Sequence, residues 1–227
     1  MLAGVIRAVI FDLDGTLVNS LNGIASSLNR ALDAEGLPTH PEATVRTFIG
    51  NGILKLVERA APQHFSKEQI KDLTQIVSED YAASWQQGTV PYPGVTQVLA
   101  TLVKQGIRIA VLSNKPDVFC RKMTDLLFPG IHFAIVSGQR VDTPLKPDPT
   151  GALEVARLME LPPAEVAFVG DSTIDITTAH NAGMVSIACG WGYHYLPALK
   201  AASPDYLIGH ISELPAIINQ DSPAHAR

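Results

Sequence analysis

Val9-Ile10-Phe11-Asp12-Leu13-Asp14-Gly15-Thr16-Leu17 is an apolar, β-branched run that stops abruptly at an acid. A second acid follows two residues later, and Gly15-Thr16 turns the chain. The pattern predicts a buried strand from Val5 to Phe11 whose C-terminal end delivers two carboxylates into a loop. Residues at i and i+2 of a strand point to one side, so Asp12 and Asp14 can converge on one site. Two acids there are costly unless a cation or hydrogen-bond donors meet them. A divalent metal answers that demand; the alternative is a strand followed by an Asp-rich turn.

Beyond this strand the chain changes character. From Leu21 to about Gln87 the pattern is helical, with no convincing strand. Leu21, Ile24, Ala25, Leu28 and Leu32 recur at helical spacing, with Ser20 as a cap and Gly36 as a stop. A short helix follows Pro41 and reaches Phe48-Ile49. Gly50-Asn51-Gly52 interrupts the pattern, and Ile53, Leu56, Val57 and Ala60 resume it. Ser66-Lys67-Glu68-Gln69 is a capping-box signature ahead of an apolar stripe of Ile70, Leu73, Val77, Tyr81 and Trp85. This block reads as a small helical bundle inserted after the first strand, and the turn-rich stretch from Gln87 to Gly94 reads as its return linker.

From there strands and helices alternate. Helices are expected over Val95 to Leu102, from Pro116 with Phe119, Met123 and Leu126 on one side, over about Thr150 to Met159, and over Ile174 to Ala182. Strands are expected over Ile107 to Leu112, His132 to Val136, Val166 to Val169, Val185 to Ala188 and Tyr206 to Ile208. Such alternation argues an α/β fold, a parallel sheet covered on both faces. Ligands of such sheets bind beyond the C-terminal strand ends.

The remaining polar clusters fall at those ends. Ser113-Asn114-Lys115 offers a hydroxyl, an amide and backbone N–H groups to phosphate oxygens, although the same residues make a common turn. Lys146-Pro147-Asp148-Pro149 is a stiff loop that aims one lysine at phosphate or, on the plainer reading, at solvent. Gly170-Asp171-Ser172-Thr173-Ile174-Asp175 sets two acids around a helix start, where Asp171 is either a cap or a third strand-end carboxylate. Three such carboxylates suit magnesium, which keeps several waters and substrate oxygens in its shell.

Composition narrows the classes. The chain has 227 residues and a net charge of −5, which gives no support to a nucleic-acid partner. Its two cysteines, Cys120 and Cys189, lack metal-ligand spacing and read as small buried residues of a reducing compartment. The seven histidines are scattered. Arg7 and Asp12 interrupt the apolar N-terminus before it reaches membrane-spanning length, and it has no signal-peptide pattern. A cytoplasmic protein without a membrane partner is expected, with a polar and mobile tail over Asp221 to Arg227.

Taken in order, Asp-x-Asp-Gly-Thr, Ser-Asn, Lys-Pro and Gly-Asp-x-x-x-Asp resemble the haloacid dehalogenase superfamily over nearly the whole chain. Phe48-Ile49-Gly50-Asn51-Gly52, Ser113-Asn114-Lys115-Pro116, Lys146-Pro147-Asp148-Pro149 and Gly192-Tyr193 look closest to its bacterial phosphoglycolate phosphatases. The resemblance implies a doubly wound, Rossmann-like parallel sheet over 1–18 and 89–227 and an α-helical cap over 19–88. It implies a magnesium-dependent hydrolase of a small phosphate ester, monomeric or homodimeric. In that role Asp12 is the nucleophile and Asp14 the acid–base group. Asp12, the Asp14 carbonyl and Asp171 hold the metal, and Asp175 supports the metal shell or Lys146. Thr16, Ser113, Asn114 and Lys146 serve phosphate, and Gly50 and Asn51 belong to the cap loop facing the substrate. Sugar-phosphate phosphatases, pyrophosphatases and phosphomutases share these motifs and stay open as alternatives. Asn19 stands where many relatives carry Asp, at the first linker to the cap.

Overall fold

The structure, a computed structural model, describes residues 5–220; the tail from Asp221 onward lies outside them. The chain opens with β1 (Ala8–Phe11), β2 (Val18–Asn19), α1 (Leu21–Ala34), α2 (Glu42–Arg46), α3 (Ile53–Ala60), α4 (Lys67–Ser84) and β3 (Val90–Pro91). It continues through α5 (Val95–Lys104), β4 (Arg108–Pro116), α6 (Asp117–Leu127), β5 (Ile135–Gln139), α7 (Thr150–Leu158) and β6 (Val166–Gly170). Then follow α8 (Thr173–Ala182), β7 (Val185–Cys189), α9 (Leu196–Ala201), β8 (Tyr206–Ile208) and α10 (Leu214–Gln220). Two compact units result, one formed by the described residues up to Leu17 and from Pro91 onward, the other by Val18–Val90.

The first unit is a six-stranded sheet in the order β5-β4-β1-β6-β7-β8, parallel throughout. All four residues of β1 are buried, which is why that strand reads as a continuous apolar run rather than an alternating one. Ala8 and Ile10 pack with Ala152, Val155 and Ala156 of α7 and with Ala179 and Ala182 of α8. The strand order reverses direction at β1, which lies between β4 and β6. A crevice opens at the C-terminal ends of the strands at such a switch point. Register decides what reaches it: Phe11 pairs with Val111 on one side and with Val169 on the other. Asp12 and Asp171 therefore leave β1 and β6 at nearly the level that Ser113 reaches within β4.

The second unit is helical. Leu28 and Leu32 of α1, Val45 of α2, Leu56 and Val57 of α3 and Leu73 and Val77 of α4 share one buried cluster. The capping box at Ser66 and Gln69 forms as its sequence signature predicts. Arg30 of α1 donates to Asp80 of α4 at 2.9 Å.

Several boundaries differ from the sequence reading. Ser20 stands before α1, but its side chain does not cap it. The helix after Pro41 ends at Arg46 rather than at Ile49. Leu126 is exposed, because Cys120 and Thr124 complete the buried face of α6 with Phe119 and Met123. β5 starts three residues later than expected, since pairing of Ala110 with Ile135 sets its register and carries it into the buried pair Ser137-Gly138. β4 runs through Ser113-Asn114-Lys115 to Pro116, where a turn was an option. A register shift against β5 between Leu112 and Pro116 accommodates the longer strand. Such irregularities re-aim side chains at sheet ends.

Candidate active site

The polar residues at the strand ends assemble around Asp12. Lys146 Nζ lies 3.0 Å from Asp12 Oδ1 and 2.6 Å from Asp175 Oδ1. The Leu13 N–H donates to Asp12 Oδ1 at 2.7 Å, and the Ser113 hydroxyl hydrogen-bonds the same carboxylate. Burial pushes the Asp12 carboxyl up to about 6, and the Asp175 charge adds to the effect; Lys146, Ser113 and Leu13 pull the other way. Burial disfavours the Lys146 ammonium, yet the carboxylates of Asp12 and Asp175 outweigh it and raise that group above its ordinary value.

Asp171 is held from two sides. Thr16 Oγ1 donates to Oδ1 at 3.0 Å and the Tyr193 N–H to Oδ2 at 2.7 Å. A Cβ at Gly15 or at Gly192 would overlap Asp171, so both loops approach it by lacking a side chain. Burial, then the charges of Asp175 and Asp12, hold its carboxyl well above the usual range.

The cap of α8 falls to Ser172, not Asp171. Ser172 Oγ accepts from the Asp175 N–H, and Asp175 Oδ2 accepts from the Ser172 N–H at 3.0 Å and from its hydroxyl at 2.6 Å. That box leaves Asp171 for the site and fixes Asp175 as a support for Lys146.

Asp14 pairs with a second lysine. Its carboxylate accepts from Lys115 Nζ at 2.9 and 3.1 Å. Asn114, expected to face phosphate, instead turns both ends of its amide onto the Lys146 backbone: Nδ2 donates to the carbonyl at 3.0 Å and Oδ1 accepts from the N–H at 2.8 Å. A buried loop has no ladder for its backbone groups, so a side-chain amide supplies the pairing. Thr16, also expected to face phosphate, is fully buried against Asp171. In the helical unit, Asn51 Oδ1 accepts from Arg59 Nη2 at 2.6 Å and the Phe48 carbonyl accepts from Nη1 at 2.7 Å, which ties down the loop containing Gly50.

The sequence reading assigned no role to the Lys115 side chain or to Trp191, whose indole N–H donates to the Thr16 carbonyl at 3.1 Å. The Lys115 pairing spans a hundred residues, and periodicity carries no signal for it. Gly192-Tyr193 was noticed as a motif, but its contact with Asp171 is a product of folding.

The donor set fits a divalent cation. Carboxylate oxygens of Asp12, Asp171 and Asp175 lie within 4.8 Å of one another. Four carboxylates at this end of the sheet, Asp14 included, face the two ammonium groups of Lys115 and Lys146. With all four ionised, the all-oxygen set is short of two positive charges, the deficit that a hard divalent ion supplies.

Comparison with known proteins agrees with this geometry. The model of the haloacid dehalogenase-like hydrolases matches residues 9–189. A phosphoglycolate phosphatase of Yersinia pseudotuberculosis is 36% identical over 216 residues, covering 93% of both chains. That of Escherichia coli K12 is 34% identical over 229 residues, covering 92% of this chain and 91% of its own. A Haemophilus somnus crystal structure, described as a predicted phosphoglycolate phosphatase, matches with a TM-score of 0.87 at 31% identity, covering 93% of this chain and 97% of its own. A Lactobacillus delbrueckii structure matches with a TM-score of 0.89 at 27% identity, covering 93% and 98%. The chain belongs to the haloacid dehalogenase-like hydrolases, as one of the family's phosphatases.

Proposed function

We infer that this protein is a magnesium-dependent phosphomonoester hydrolase that acts on 2-phosphoglycolate through an aspartyl-phosphate on Asp12. The observation that carries the chemistry is the Asp12 carboxylate at the switch point, gripped by Lys146 at 3.0 Å and flanked by Asp171. The choice of substrate rests on the activity named for the Yersinia and Escherichia relatives.

In the first step an Asp12 oxygen attacks phosphorus, the bond from phosphorus to the leaving oxygen breaks, and Asp14 gives that oxygen its proton. Asp14 is then the base the second step needs. It takes a proton from water as the water oxygen attacks phosphorus and the bond to Asp12 breaks. Ser113 and Lys146 hold the equatorial oxygens, and Asn114 acts through Lys146 by fixing its backbone. The carboxylates of Asp12 and Asp171 and the Asp14 carbonyl are the ligands we assign to magnesium, with Asp175 as their support. When bound, the ion draws two anions together and neutralises developing charge. The inserted helical unit, including Gly50 and Asn51, is assigned to substrate binding.

The test is phosphate release across 2-phosphoglycolate, hexose phosphates and pyrophosphate in magnesium. The expected result is the highest kcat/KM for 2-phosphoglycolate. A wide preference for a hexose phosphate or pyrophosphate, or an isomerised product without free phosphate, would refute the assignment.

A further inference from the structure

One buried cation has no part in that scheme. Lys115 lies in the last part of β4, two residues beyond Ser113, and its side chain is 6% exposed. Its Nζ sits 2.9 and 3.1 Å from the two Asp14 oxygens, while the Asp14 side chain is 12% exposed. Removing an ammonium from water is expensive, and an apolar residue of similar size often serves stability as well as a buried ion pair does. Stability alone therefore gives weak reason for a lysine here.

Its position gives a stronger reason. The phosphoryl end already has its own lysine, since Lys146 is engaged with Asp12 and Asp175. Lys115 is engaged instead with Asp14, the group that serves the leaving oxygen on this reading. On the reading above, Asp14 hydrogen-bonds the leaving oxygen, which places that oxygen within about 3 Å of the Asp14 carboxylate. Lys115 Nζ is 2.9 Å from Asp14 Oδ2. A group joined to the leaving oxygen through one methylene can then come within reach of that ammonium. In 2-phosphoglycolate the group is a carboxylate. An ammonium carries three donors in flexible geometry, so it can share itself between Asp14 and a second carboxylate.

We propose that Lys115 is a specificity-determining residue: its ammonium binds the carboxylate of short 2-phosphonooxy acids next to Asp14. This rests on the phosphatase reading and places recognition of the acid in the sheet unit. The consequence is a short ruler. A carboxylate one methylene from the leaving oxygen is accepted, a neutral methyl there is not rewarded, and a longer spacer overshoots.

The experiment compares 2-phosphoglycolate with ethyl phosphate, which replaces the carboxylate by a methyl, on the native enzyme, Lys115→Met and Lys115→Arg in magnesium. Both variants loosen Asp14, so turnover of both esters falls. The proposal expects Lys115→Met to lose roughly ten- to a hundredfold more kcat/KM on 2-phosphoglycolate than on ethyl phosphate. Most of the differential loss appears in KM, and Lys115→Arg restores part of it. Competitive inhibition by inorganic phosphate, which lacks a carboxylate, stays within about twofold of the native value, because Lys146 is untouched. Should Lys115→Met fail to fold by circular dichroism, Lys115→Gln keeps a hydrogen bond to Asp14 without the charge and carries the same expectation. Equal losses on both esters would overturn the proposal, reduce Lys115 to a positioner of Asp14 and return the carboxylate to the helical unit. A native enzyme that hydrolyses other esters but shows no preference for 2-phosphoglycolate over ethyl phosphate overturns the substrate reading itself, before any variant is made.

Discussion

At Asp12, burial and the Asp175 charge oppose Lys146, and burial wins in the metal-free protein, with the carboxyl pushed up to about 6. A cation must displace that proton, so apparent magnesium affinity is expected to fall as pH drops through about 6, measured by calorimetry at several pH values. The sign for stability follows. The folded metal-free state holds its proton to higher pH than the unfolded chain, whose carboxyl keeps the ordinary value of 3.8. Metal-free stability therefore declines as pH rises through that window. Magnesium reverses the demand by requiring the ionised form. The gain in Tm on adding magnesium should thus be larger at about pH 7.5 than at about pH 5.5. A gain that shrinks as pH rises would contradict this. Asp14 has a different test. Asp14→Asn should cost on the order of a hundred- to ten-thousand-fold in kcat for an ester with a poor leaving group. The loss should be smaller with an aryl phosphate, whose leaving group needs little protonation; equal losses would count against a proton donor.

The start of α8 shows how one short element organises a site. Ser172 and Asp175 close the helix cap on each other, and the same Asp175 carries Lys146 on its other oxygen. Ser172→Ala should lower stability by about 1 kcal/mol, as lost caps do. It should also lower kcat, because Asp175 Oδ2 loses the hydroxyl donor at 2.6 Å and keeps only the backbone N–H of residue 172. Denaturant melts and initial rates check both, and a stability loss with unchanged kcat would separate the cap from the site. The first acid motif and the glycine stops were plain in the sequence because they are local: an apolar run ends, or a helical spacing breaks. The Ser172 cap was less so, since Asp171 and Ser172 both suit a helix start. The true end of β4 and the start of β5 were hidden, because inter-strand pairing around Ile135 sets them and no neighbour in sequence does. The Lys115–Asp14 pair and the Trp191 contact with Thr16 were hidden for the same reason: each joins distant segments through the sheet.

At the scale of the whole molecule the strand order does most to make a site, since β1, near the start of the chain, is flanked by β4 and β6, both far from it in sequence. The ends of β1 and β6 then bring Asp12 and Asp171 beside Ser113 of β4, and the loop before α7 brings Lys146. Among the described residues no helix is long and apolar enough to cross a membrane. Calcium should support turnover poorly, because its larger and looser shell sets the oxygens at longer distances than magnesium does. Rates in the two metals at matched occupancy test that, and comparable rates would argue against a magnesium-tuned shell. The central claim is that Asp12 accepts the phosphoryl group. Its most direct test is the mass of the Asp12-containing peptide after acid quench of enzyme turning over 2-phosphoglycolate in magnesium, beside the folded Asp12→Asn variant. The account predicts a phosphoryl adduct on Asp12 in the native enzyme, and neither adduct nor phosphate release in the variant. Phosphate release at a near-native rate by folded Asp12→Asn would contradict it.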